Sequence, residues 1–205
     1  MNSNEIQNIK IANCDPSALG LFGLAVVTLV ASFQKLGITE GTSFIIPWAI
    51  FLGGFGQLFA CINDSKRQNT FGATAFGAFS LFWFGVAMSW MISAGTFGKG
   101  LAGSVDPKQL GFAFIAYLIF TIFMTIGAAE TNKALFLVFF FIIFLFIGLS
   151  LNSFGILPEF SHKLAGIAEL LASLTAFYGS AAAVLNPHFE REFLPIGKPF
   201  GIFKK

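Results

Sequence analysis

Gln57, Tyr117, Tyr178 and Glu169 are the side chains whose chemistry most needs explaining, because each falls in or beside a long apolar run. An amide has two donors and two acceptor sites, so Gln57 can join two helices or solvate a polar solute, and its type leaves both open. A buried phenol ordinarily finds one hydrogen-bond partner. Tyr117 and Tyr178 lie well inside their runs, away from the interfacial belt where tyrosine is usual. Glu169 sits roughly one turn into the last apolar run, where a carboxylate can reach water and is favoured by a helix N-terminus. A proton-linked role is the alternative for it. Thr28, Thr74, Ser80, Thr121, Thr125 and Thr175 add hydroxyls, each of which can bond back to its own helix.

None of these residues forms a known catalytic pattern. No GxSxG, HExxH, P-loop or Rossmann fingerprint occurs. His162 and His188 stand at helix ends with no second ligand at metal spacing, and Cys14 and Cys61 lie in no CxxC pair. Neither a metal nor a cofactor is expected, and a permeation protein is a more natural reading than an enzyme. The net charge of +2 is spread over two faces, so nucleic-acid binding has no support.

The elements that must position these groups follow from where charge is missing. A soluble domain is about 25% charged, whereas this chain is 11% charged and 56% hydrophobic. No Asp, Glu, Lys or Arg occurs in 16–34, 41–63, 68–98, 109–129, 134–158 or 170–189. Each window reaches the roughly 18 residues that cross a bilayer. An all-α membrane protein is therefore expected, with six spans near 18–35, 44–62, 72–92, 109–129, 134–151 and 165–185. A short N-terminal arm (1–17) and a tail (186–205) flank this single domain (1–205), and the arm lacks the basic region and cleavage site of a secretory signal.

Basic residues set the expected orientation. Lys10, Lys66, Arg67, Lys133, Arg191, Lys198, Lys204 and Lys205 fall on one side, against Lys35, Lys99, Lys108 and Lys163 on the other. That bias points both termini to the cytosol and puts Trp48 and Trp90 near the outer interface.

Three helices start with a capping residue, at Asp15-Pro16, Asn69-Thr70 and Asn132-Lys133, which suggests three two-helix hairpins. Along Asn69–Trp83, small and hydroxylated residues from Thr70 to Ser80 gather on one side, while Phe71, Phe79, Phe82 and Trp83 gather on the other. The small face should meet another helix or a solute path. Gly53, Gly54 and Gly56 permit close approach in the second span. In the sixth, Ala168, Ala172, Ala176 and Ser180 recur every four residues, a stripe that brings membrane helices together. The fifth has almost no polar atoms and should be enclosed by lipid or a neighbouring subunit.

Several dispersed motifs resemble one family. DPSALGL (Asp15–Leu21, with Pro16, Leu19 and Gly20 between) resembles the NPAPLGL signature that opens the first helix of the acetate uptake transporter family, the succinate–acetate permeases and their fungal relatives. NTFGATAFGAFSLFW is similar to its third helix, NPHFEREFLPIG (Asn186–Gly197) to its C-terminal tail, and GGFGQLFACINDSKRQNTFG agrees as well. The resemblance implies a six-helix protomer, a homohexamer, and a path through each protomer, in a fold similar to the hexameric urea and amide channels. It also implies a constriction of Phe, Tyr and Leu at positions occupied here by Leu24, Phe79 and Ile142. All three depart from the family's residues and stay apolar. The small residue tied to substrate size falls at Ala176, which matches, and Asp15 replaces the signature's asparagine.

The function so implied is a multi-pass channel or transporter of the cell (inner) membrane. It would move acetate, with succinate or other short carboxylates and protons as further candidates. Thr28, Gln57 and Thr74, with helix N-termini, are expected to replace part of the lost hydration, and Tyr178 to touch the path. The alternative is a channel for neutral amides such as urea. A third reading is a scaffold that transports nothing.

Overall fold

A computed structural model describes residues 14–203, so Lys10, Lys204, Lys205 and most of the N-terminal arm lie outside the described residues. Six helices are long and apolar enough to cross a membrane, and no strand occurs among the described residues. The first is α1 (Ser17–Lys35). The second, Ile45–Lys66, runs through α2 (Ile45–Trp48), a π-helical stretch Ala49–Gly56 and α3 (Gln57–Lys66). Then come α4 (Thr70–Ser93), a single turn α5 (Lys99–Ala102), α6 (Pro107–Ala129), α7 (Lys133–Ser153) and α8 (Pro158–His188).

The caps behave as their chemistry requires. Asn69 Oδ1 accepts from the Gly72 amide at 3.2 Å and Asn132 Oδ1 from the Leu135 amide at 2.8 Å. Asp15 Oδ1 accepts from the Ser17 amide at 3.0 Å. These orphan donors of the first turn are thus satisfied without solvent.

Helix order around the bundle is set by small residues. α8 lies between α1 and α7, α7 packs on α6, and the second span packs on α4 and α1. The α8 stripe does face α1: Ala172 and Ala176 are fully buried, Ser173 Oγ donates to the Ala25 carbonyl at 2.7 Å, and Ser180 Oγ donates to the Ala18 carbonyl at 2.7 Å. The small face of α4 meets the second span, where Ser80 Oγ donates to the Gly54 carbonyl at 2.9 Å. A Cβ on Gly53 would sit 2.6 Å from Trp83 Cγ, so glycine is needed for that crossing. α4 and α6 have few backbone contacts and meet through aromatic rings, Phe82–Tyr117 at 4.9 Å and Phe79–Phe120 at 5.8 Å. The middle hairpin is therefore splayed open, and its gap is filled by side chains. α7 turns Val138, Phe139, Ile142, Leu145 and Phe146 inward, with Phe140 and Phe144 outward.

The last helix differs most from expectation. The apolar run suggests 165–185, whereas α8 spans Pro158–His188. Pro158 occupies the first helical turn, where it lacks no needed bond. The polar residues that follow it leave hydropathy silent about the start. Glu169 is consequently about three turns into the helix rather than one. Gly148→Ala tests the α7–α8 contact. Its Cβ would fall 2.7 Å from the Ala165 nitrogen and the Ser161 carbonyl oxygen. Overpacking of that kind is expected to cost about 1–3 kcal/mol. Thermal unfolding in detergent reads it, and an unchanged midpoint would contradict the packing.

Candidate functional site

A cavity of about 590 Å³ opens at the end of the bundle where Asp15, the 67–69 loop, the 130–132 loop and the tail meet. The helix starts of α1, α4 and α7 surround this mouth, through Ser17, Gly72, Ala134 and Leu135. Three positive dipole ends therefore share one opening, a setting that favours anions. Among the side chains there, Arg67 is a cation set against the carboxylates of Asp15 and Asp64, and its Nη1 contacts Asp15 Oδ1 at 3.3 Å. Both partners are substantially exposed, so this pair contributes little to stability.

Going inward the lining becomes apolar: Leu21, Phe76, Val138 and Phe139. On α1, α4 and α7 the lining residues farthest from the mouth are Leu24, Phe79 and Ile142. They lie about 11–14 Å along their helices. All three are buried, and Phe79 is wedged among Tyr117, Phe120, Phe139 and Phe146. The residues expected to form a constriction thus share the inner end of one cavity. Gln57 is the farthest lining residue on the second span; it is 1% exposed, and its Nε2 has no partner among the described residues. A free amide donor therefore stands beside an apolar plug.

Other expected path residues lie elsewhere. Thr28 is buried and donates to the Leu24 carbonyl at 2.7 Å, outside this cavity. Thr74 is exposed on the outer side of α4, because the inward sector of that helix is taken by Gly72, Ala75, Phe76 and Phe79. Ala176 is sealed against α1. Tyr178 points outward and donates to the Pro195 carbonyl at 2.8 Å, so it ties down the tail. Tyr117 donates to the Ala78 carbonyl at 2.9 Å, a bond between α6 and α4. In the signature, Gly20 lies under the Phe76 ring, while Leu19 is exposed.

Asp64, Asn132 and Asn186 also line the cavity, although the sequence marked Asn132 only as a helix cap, Asn186 only as the start of the tail motif, and Asp64 for no role. Asp64 was hidden because the charge-free window stops at 63, while α3 continues to Lys66 and turns Asp64 inward. The tail closes part of the mouth: Asn186 Oδ1 accepts from the Phe193 and Leu194 amides, and the Ala134 amide donates to the Ile196 carbonyl at 3.0 Å. Glu130 Oε1 accepts from the Ile202 and Phe203 amides.

Glu169 does not reach water as expected. It is 2% exposed and paired with Lys35 Nζ at 2.9 Å, at the far end of α1 from the cavity mouth. The extended start of α8 carries it inside. Removing one partner strands a buried charge, so Lys35→Met is expected to cost about 3–5 kcal/mol, and Lys35→Met with Glu169→Met to regain most of it. A double-mutant cycle on unfolding midpoints checks this, and additive losses would contradict a direct pair.

The arrangement combines helix N-termini at the mouth, one free amide and an apolar inner lining, and no group of residues that could hold a metal ion occurs among the described residues. Comparison with known proteins points the same way. The model of the GPR1/FUN34/yaaH family matches residues 1–195. The succinate-acetate/proton symporter SatP of Escherichia coli (strain K12) is 31% identical over 93% of this chain and 98% of its own length. Acetate permease A of Emericella nidulans is 28% identical over 91% of this chain and 66% of its own. The solved structure of the bacterial acetate channel SatP superposes with a TM-score of 0.84 at 30% identity, covering 91% of this chain and all of that one.

Proposed function

This chain belongs to the GPR1/FUN34/yaaH family, and on that premise we propose that it is a membrane channel or transporter for acetate and related short carboxylates. Substrate enters the cavity and crosses the constriction of Leu24, Phe79 and Ile142 within each protomer. The observation that carries the reading is that those three side chains line the inner end of one cavity together with the free amide of Gln57.

Helix N-termini raise the local concentration of anions at the mouth, where Arg67 offsets one of the two carboxylates of Asp15 and Asp64. The carboxylate then exchanges water for the Gln57 amide, while its methyl group packs on Leu21, Phe76 and Val138. An ionised carboxylate pays several kcal/mol to enter the apolar ring without partners. A proton picked up before the crossing removes most of that penalty, so acetate and a proton move together. Phe79 offers no hydroxyl at the ring, which leaves Gln57 as the polar partner nearest the crossing. The Tyr117 hydroxyl is already engaged.

The same reading makes the protein non-enzymatic and multi-pass in the cell membrane, with the cavity mouth and both termini in the cytosol. It forms one domain per protomer and a homohexamer. Broad apolar faces support the assembly in lipid: Leu81 and Met88 on α4 and Phe112, Ile119 and Phe123 on α6 are exposed in the single protomer.

Proteoliposomes holding the purified chain are expected to take up labelled acetate, with competition by propionate and none by urea. Urea competition without propionate competition would favour the amide-channel alternative, and no uptake with or without a pH gradient would defeat the reading. Phe79→Ala is expected to raise acetate flux about tenfold, equivalent to about 1.4 kcal/mol off the barrier, and Gln57→Leu to lower it about as much. Flux unchanged in both would remove these residues from the path.

A further inference from the structure

Asp64 is a carboxylate that the permeation scheme has not used. It lines the cavity from the last turn of α3, is 1% exposed, and its Oδ1 accepts from Asn69 Nδ2 at 3.1 Å. Its Oδ2 has no hydrogen-bond partner among the described residues. That oxygen lies so close to Gly72 that any Cβ there would overlap it. Glycine at the first turn of α4 is thus what lets the carboxylate occupy its place. Two charged groups face it. Arg67 comes from the end of its own span and is already in contact with Asp15 at 3.3 Å, and Asp15 itself comes from the start of α1. α4 presents Asn69 and backbone, and the start of α7 presents the neutral Asn132. Ionised Asp64 therefore gives this side of the mouth two carboxylates against one guanidinium.

A buried oxygen of this kind is satisfied by accepting from a solute in the cavity, or by carrying a proton and donating to one. The solute read into this cavity is itself an anion, which can accept but not donate. We propose that Asp64 carries the transported proton on the mouth side of the constriction. The proposal rests on the reading of the cavity as a carboxylate path. Substrate that has crossed the constriction as the neutral acid passes its proton to Oδ2. The substrate's own O–H bond breaks with the electron pair left on its carboxylate, and protonated Asp64 then donates to that carboxylate. When the Asp64 O–H bond breaks and the proton passes to water in the mouth, its electron pair stays on Oδ2. One carboxylate then faces another, and repulsion releases the substrate to the same side as the proton. The Asn69 amide holds Oδ1, so Oδ2 is the oxygen that exchanges the proton.

The test measures two quantities on full-length protein in proteoliposomes: acetate exchange at equal pH, and acetate accumulation driven by an inward proton gradient. Asp64→Asn keeps the shape and a permanent donor but cannot release a proton. In it the ratio of accumulation to exchange is expected to fall at least tenfold, and exchange to lose its dependence on pH. Asp64→Glu should retain accumulation with its pH profile displaced. A wild type that exchanges acetate but never accumulates it overturns the proposal and leaves the path reading standing. So does an Asp64→Asn variant whose ratio and pH dependence match wild type, or which loses both activities in proportion. Should the Asn variant fail to reconstitute, an Asp64→Glu profile superimposed on wild type overturns the proposal equally. Absence of acetate exchange in wild type instead removes the path reading, and this proposal with it.

Discussion

Close approach of helix backbones is the constraint on which this structure depends. Lipid supplies no hydrophobic force between two apolar helices, so contact must come from tight packing and from side-chain bonds to neighbouring carbonyls. α8 and α1 meet both needs through Ala172, Ala176, Ser173 and Ser180, and α4 meets the second span through Ser80 over Gly54. Those contacts fix where α1 and α4 stand, and hence where Leu24 and Phe79 project. Aromatic side chains occupy the wider gap between α4 and α6. The three side chains proposed as the constriction are thus positioned by contacts that lie outside the cavity lining.

The same arrangement separates two jobs that conflict in a membrane. Attracting an anion needs positive ends and polar groups, whereas preventing leakage needs an apolar seal. Here the helix starts provide the first at the mouth, and helix interiors provide the second about two to three turns deeper. Since α1, α4 and α7 all begin at one face, the two zones are stacked on the same three helices. Their relative depth is set by helix rise alone.

Much of this was legible in the residues, and what was not has physical causes. Charge-free windows located the six spans because each charge excluded from lipid marks a boundary. Asn69 and Asn132 announced their helix starts, since an amide oxygen is the natural acceptor for first-turn donors. Small residues at every fourth place revealed the α8 face. Asp64 escaped because it lies one residue beyond an apolar window on a helix that continues past it. The Lys35–Glu169 pair escaped because its members are 134 residues apart and meet only through the α1–α8 contact. Thr74 and Tyr178 carry polar groups whose direction depends on which neighbour fills the adjacent sector, and periodicity within one helix does not contain that information. The proposed constriction rests on resemblance; an apolar Leu, Phe and Ile among so many others carry no distinguishing mark.

The π-helical stretch Ala49–Gly56 immediately precedes α3 and sets its rotational phase. Gln57 and Asp64 are separated by seven residues, close to two full turns, so they share one azimuth and point into one cavity. A single residue deleted from or added to that stretch would swing the whole of α3 by about 100°. The amide and the carboxylate would leave the cavity as a unit, with every hydrogen bond within α3 still intact. The second span therefore behaves as an indexed shaft, in which a local winding defect decides which chemistry faces the solute.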